Sequence, residues 1–209
     1  MKKILTIIAF LFSTAPVFSQ VVALDFDGVN DQVVVTGNSS LSPTKITLET
    51  WMYAKSFSSS PCADCAPIIW HQGKGYRFGT GNGAGVDVQF FDGSSTKTLK
   101  SSMTLSTNAW HHLAVTYDSA KIKMYIDGSL TDSVAATFTL NYSSKGADVW
   151  IVDPATGYGG TLEETRIWNY ARNFKEIREG MLKSYKSGTK GLMLQLSYDD
   201  VFLIKTIQV

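Results

Sequence analysis

Short alternating runs that end in glycine or Asp-Gly recur along most of this chain, and they constrain its fold more than any other feature. "VVALDFDG", "QVVVTG", "ITLETWMYAKSF", "PIIWHQGK", "YRFGTG", "VDVQFFDG" and "TKTLKSSMTL" follow one another between Val21 and Leu105, and "ADVWIVD" and "GTLEETRIWN" come later. Alternation with period two places successive side chains on opposite faces of a strand, and Gly or Asp-Gly marks where each strand turns. So many short strands with so little helical periodicity specify a β-sandwich or a barrel.

The stretch "NAWHHLAVTYDSAKIKMYIDGSL", residues 108–130, is the densest in chemistry-bearing residues. Leu113, Val115 and Tyr117 should face one way and His112, Ala114 and Thr116 the other, so His111 and His112 diverge and cannot converge on one ion. A second alternating run puts Ile122, Met124 and Ile126 on one face. Asp127-Gly128 then provides the positive φ that a two-residue hairpin turn requires. The segment predicts a three-strand antiparallel meander, with the histidines as architecture.

Residues 1–19 read as a secretory signal peptide: Lys2 and Lys3 open it, Ile4 to Phe12 is apolar but too short to span a bilayer, and Val17 and Ser19 suit the cleavage positions. The expected setting is therefore outside the cell or on its surface, with no membrane span in the mature chain. About 190 residues remain, enough for one domain with a core of its own. The formal net charge is +1, and removing the leader takes two lysines and no acid. No basic cluster accompanies the aromatics, so nucleic acid is not an expected partner.

Cys62 and Cys65 are the only cysteines, in "SSSPCADCAPIIW". In an exported chain a local disulfide between them is the favoured reading. A zinc half-site would need two further ligands, of which His71 is the nearest, and a redox pair would sit at a helix start, where here Pro61 and Pro67 mark a loop. One helix is expected late in the chain. Asn173 and Glu176 form a capping-box pattern, and Phe174, Ile177, Met181, Leu182 and Tyr185 recur at helical spacing, so a short helix should pack on the sandwich's edge.

"ALDFDGVNDQVVV", "ITLETWMYAKSF", "NAWHHLAVTYDSAKIKMYIDGSL" and "GTLEETRIWNYARNFKEIREGM" resemble, in that order, the signature segments of laminin-G-like and pentraxin-like jelly-roll domains of the concanavalin A-like lectin/glucanase superfamily. The resemblance implies an all-β fold: a jelly-roll sandwich of two curved antiparallel sheets with one short C-terminal helix, spanning residues 20–200. It implies that Trp51, Trp110 and Trp168 are strand-associated core residues. The tail at 201–209 departs from the pattern, as an edge strand or as the mark of a truncated or frameshifted longer protein.

The acid geometry of the glycosidases that share this fold is not evident. Such enzymes need two carboxylates facing each other across the sugar, whereas Glu163 and Glu164 are adjacent and should face opposite sides, and Glu49 stands alone. No Gly-x-Ser-x-Gly elbow frames a nucleophile. "DFDGVND" admits two readings: a structural calcium held by Asp25, Asp27 and Asp31 with Asp199 of the closing strand, or an ordinary Asx turn. The Gly-rich run at 79–87 is a flexible turn. Trp70, Trp150 and Tyr158 are the candidate ligand-stacking residues. The expected function is a secreted or cell-surface bacterial binding or adhesion module, non-catalytic, for polysaccharide or surface glycoprotein. The alternatives are an accessory carbohydrate-binding module cut from a larger polysaccharide-degrading enzyme and a purely structural surface protein.

Overall fold

A computed structural model describes residues 23–57, 66–81, 83–155 and 158–197. The segment expected to be a signal peptide, Cys62, Cys65, Asp199 and residues 201–209 lie outside the described residues. One antiparallel sheet contains β1 (Leu24–Asp27), β3 (Ile46–Ala54), β8 (Trp110–Tyr117), β9 (Lys121–Ile126), β10 (Ser129–Ala135), β12 (Gly159–Trp168) and β13 (Leu192–Leu196). Its order is β1-β12-β3-β8-β9-β10, with β13 also paired to β12. The other contains β2 (Val33–Val35), β4 (Ala66–His71), β5 (Tyr76–Thr80), β6 (Gly85–Phe91), β7 (Thr96–Thr104) and β11 (Val149–Ile151), in the order β2-β11-β4-β5-β6-β7. This is the jelly-roll sandwich that the strand pattern and the resemblance predict.

The period-two rule holds where the core forms. Leu113, Val115, Tyr117, Ile122, Met124 and Ile126 all enter the core, where they meet Ile69, Phe78, Val88 and Ile151 of the facing sheet. Each such side chain contributes roughly 1.5–3 kcal/mol by leaving water. The meander joins β8, β9 and β10 as expected. Its Asp127 and Gly128 have φ of 51° and 71°, the left-handed pair that a primed hairpin turn demands.

Helix α1 (Phe174–Gly180) carries the expected capping box, with Asn173 Oδ1 accepting from the Glu176 amide at 3.0 Å and Glu176 Oε2 from the Asn173 amide at 2.7 Å. Its position differs from the expectation. It lies on the outer face of the seven-stranded sheet, where Ile177 packs on Ala114 and Tyr125 as a second small core. Small Ala114 leaves the space that Ile177 fills. The helix is also shorter than its apolar stripe, and Leu182 beyond its end is 79% exposed. The three tryptophans expected in the core share this outer face: Trp168 is buried there, Trp51 is half-buried, and Trp110 is 41% exposed.

A candidate ligand-binding face on the six-stranded sheet

Register across the six-stranded sheet aligns one residue from each strand. Val34 stands opposite Trp150, Trp150 opposite Trp70, Trp70 opposite Arg77, Arg77 opposite Gln89, and Gln89 opposite Thr98. The adjacent row, Ile151, Ile69, Phe78 and Val88, is fully buried between the sheets, so alternation turns the Trp70 row outward. The rings of Trp70 and Trp150 meet edge to face with centroids 5.5 Å apart. Arg77 Cζ lies 5.2 Å from the centroid of Trp70. Beside them is an open groove of about 220 Å³ whose lining includes Trp70, Lys74, Arg77, Gln89 and Phe91. Half-exposed indoles with polar neighbours can bury the apolar face of a sugar ring while its hydroxyls find hydrogen-bond partners.

Tyr158, the third aromatic expected to stack on ligand, is a core residue and that expectation is corrected. It is 4% exposed, packs edge to face on Phe26, and donates its hydroxyl to the backbone carbonyls of Tyr53 and Thr161 at 3.3 and 3.2 Å. Burial raises its pKa far above the ordinary phenol value. With its hydroxyl bound inside, the ring presents no face to a ligand.

Three of the four acids named for calcium have partners within the fold, and the fourth, Asp199, lies outside the described residues. Asp25 forms an ion pair with Lys55 at 2.7 Å and accepts from Thr161. Asp27 accepts from the Val29 amide at 2.7 Å, and Asp31 from the Asp27 amide at 2.7 Å. Asp27 thus forms an Asx turn, Asp31 closes back on the Asp27 amide, and Asp25 sits in a surface ion pair. Among the described residues no group of three or more His, Cys, Asp or Glu is arranged to hold a metal ion. Both ring nitrogens of His71 have partners: Nε2 faces Ser42 Oγ at 3.1 Å and Nδ1 accepts from the Gly73 amide at 3.1 Å.

The opposite face of the sandwich holds charge that the sequence did not reveal. Glu49 is fully buried, yet accepts from Arg172 Nη1 at 2.7 and 2.9 Å, Trp168 Nε1 at 2.9 Å and Arg166 Nη1 at 3.3 Å. Arg166 also pairs with Glu164 at 2.5 Å. A carboxylate in the middle of a central strand has to find such partners to be buried at all, and that rule was the available signal. A register shift in β12 between Glu163 and Arg166, with Glu164 at φ 51°, breaks the alternation there. Glu163 and Glu164 consequently line the same groove of about 390 Å³, with Trp51 and Trp110, and do not face opposite sides as expected.

The two histidines diverge as expected and take different partners. Ser106 Oγ, His111 Nε2, His111 Nδ1 and Asp127 Oδ2 form a chain with both links at 2.9 Å. The Ser106 amide donates to the same Nε2 at 3.3 Å, and Asp127 Oδ1 accepts from the His112 amide at 2.8 Å. The chain ties the turn before β8 to the hairpin after β9. His112, on the outer face as expected, is buried against Trp51. Burial, with Arg166 and Arg172 nearby, pushes its pKa down to about 3.

A family model described as Concanavalin A-like lectin/glucanases superfamily (Laminin_G_3) matches residues 27–178. Pappalysin-1 of Mus musculus is 23% identical over 200 residues, covering 86% of this chain and 12% of that protein. A candidate carbohydrate-binding protein of Bacteroides ovatus has a TM-score of 0.69 at 19% identity, covering 85% of this chain and 51% of its own. The binding domain of Botulinum Neurotoxin DC, solved in complex with SialylT, has a TM-score of 0.56 at 14% identity, covering 71% of this chain and 38% of its own. At these identities the structural likeness is one of fold, and the chain spans only part of each of these relatives.

Proposed function

The chain belongs to the concanavalin A-like lectin/glucanase superfamily, and from that premise we propose that it is a non-catalytic binding module for sugar on a polysaccharide or surface glycoprotein. The observation that carries the reading is the aligned row Trp150, Trp70, Arg77 and Gln89 on the outer face of the six-stranded sheet. Two solved relatives, one a candidate carbohydrate-binding protein and one a toxin binding domain in complex with SialylT, support it. Export, expected from residues 1–19, belongs to the same reading.

The commitments of Glu49 and Glu164 to structural partners favour binding over hydrolysis. A glycosidase pair stands about 5–9.5 Å apart across the scissile bond, with one carboxyl able to give up a proton. Here Glu49 is bound by two arginines, and Glu164 accepts from Arg166 and from Ser184 at 2.7 Å. The test is a glycan and surface-polymer binding screen run beside a reducing-sugar assay on the same panel. Binding without product release, lost in Trp70→Ala, is expected. Steady release abolished by Glu163→Gln or Glu164→Gln would make the protein an enzyme.

A further inference from the structure

The groove beside the tryptophan pair has a charge that stacking alone does not require. Its lining includes Lys74 and Arg77 and no carboxylate. Lys74 Nζ lies 4.6 Å from the centroid of Phe91, and Arg77 Cζ lies against Trp70. Both cations thus sit on aromatic faces at the groove. Two of the nearby acids have partners of their own: Asp148 accepts from the Gly37 amide at 2.8 Å, and Asp92 gathers Ser94, Ser95 and Lys97.

The turn that presents Lys74 is fixed. Lys74 and Gly75 take φ of 63° and 85°, Lys74 forms a β-bridge with Tyr142, and a side chain at Gly75 would collide with the Tyr142 ring. The Tyr142 hydroxyl in turn donates to the Pro43 carbonyl at 2.9 Å. A lysine at positive φ is strained, and strain of this kind collects at ligand clamps.

Building on the sugar-binding reading above, we propose that the ligand is an acidic saccharide whose carboxylate sits at Lys74 and Arg77 while its ring stacks on Trp70. The planar guanidinium of Arg77, set against the Trp70 ring, matches a carboxylate, and the ammonium of Lys74 adds a point charge on a reaching stem.

The test titrates the full chain with polygalacturonate, alginate, hyaluronan and polysialic acid, each beside its carboxyl-reduced form, at 50 and 500 mM salt. At least one acidic polymer should bind, with affinity falling roughly tenfold or more on carboxyl reduction and falling also with salt. Lys74→Gln should weaken that binding roughly three- to tenfold, and Lys74→Arg should retain it. Lys100→Gln, on the same face but outside the groove lining, should change little. Equal binding of acidic and reduced polymers, or equal effects of Lys74→Gln and Lys100→Gln, would overturn the acidic specificity and leave sugar binding standing. If no polymer of either kind binds, the sugar-binding face itself is wrong.

Discussion

Trp70 and Trp150 stand directly opposite each other on antiparallel β4 and β11, 80 positions apart in sequence, with their rings edge to face at 5.5 Å. Neither ring is needed between the sheets, since Ile69 and Ile151 fill that side. The pair is therefore free to serve a ligand. Trp70→Ala and Trp150→Ala should each cost binding about 2 kcal/mol or more, the level of an interface anchor, or roughly 30-fold in Kd. Loss of stability should be smaller, about 0.5–1.5 kcal/mol for the ring pair. Calorimetric titration beside urea melts separates the two effects, and equal losses in both would make the pair structural.

Arg172 is the second pair of hands on Glu49, and it also bonds the Glu176 carbonyl at 2.6 Å and the Tyr185 hydroxyl at 2.7 Å. It thereby couples the central strand β3 to the helix and to the loop after it. Arg172→Met should destabilise the fold by about 3–5 kcal/mol, because removing one partner leaves buried charge undercompensated. Glu49→Leu combined with Arg172→Met should cost clearly less than the two changes summed. Additive losses in denaturant melts would show that the contact carries no coupling.

What the sequence made legible follows from the reach of each rule. Period two and Asp-Gly chemistry are local, so the meander, the hairpin turn at Asp127-Gly128 and the capping box at Asn173 could be read directly. Trp70 and Trp150 could be singled out one by one, but their pairing depends on β11 inserting between β2 and β4, which alternation does not encode. Glu49 looked isolated because its partners lie 117 and 123 positions away. Glu163 and Glu164 were misplaced because a bulge breaks the period on which the reading rested. Tyr158 stands in the glycine-bearing sequence "DPATGYGG", yet its ring is drawn inward by Phe26 and two carbonyls.

Asp127 does three jobs at once: it accepts the left-handed turn geometry, caps the His112 amide and orients His111. Asp127→Ala should lower stability by about 1–3 kcal/mol, combining positive-φ strain with lost hydrogen bonds. Asp127→Asn keeps an acceptor and tolerates positive φ, so it should cost visibly less. The Ser106–His111–Asp127 chain should not label with a fluorophosphonate probe, since Nε2 already accepts from the Ser106 amide as well. Labelling at Ser106, abolished by His111→Ala, would assign it a reactive role.

His112 is expected to make the fold sensitive to acid. Its ring nitrogens are buried with no hydrogen-bond partner, and the charges facing it are Glu49 on β3, Arg166 on β12, Arg172 beyond it and Asp127 in the hairpin. With its pKa moved from 6.5 to about 3, the folded state keeps the ring neutral while the unfolded chain takes up a proton. Glu49, 3.9 Å away, is thus no ion-pair partner near neutral pH. The sign follows from the depressed value: the stability is fully present above pH 6.5, and it is lost as pH falls from there toward 3, at about 1.4 kcal/mol per unit. His112→Phe keeps a ring against Trp51 and removes the titration. Its urea midpoint should match or exceed the parent's at pH 7.5, because two unsatisfied polar atoms are gone. Between pH 6 and 4 its stability should fall less steeply than the parent's. Parallel curves for the two proteins would place the acid sensitivity elsewhere.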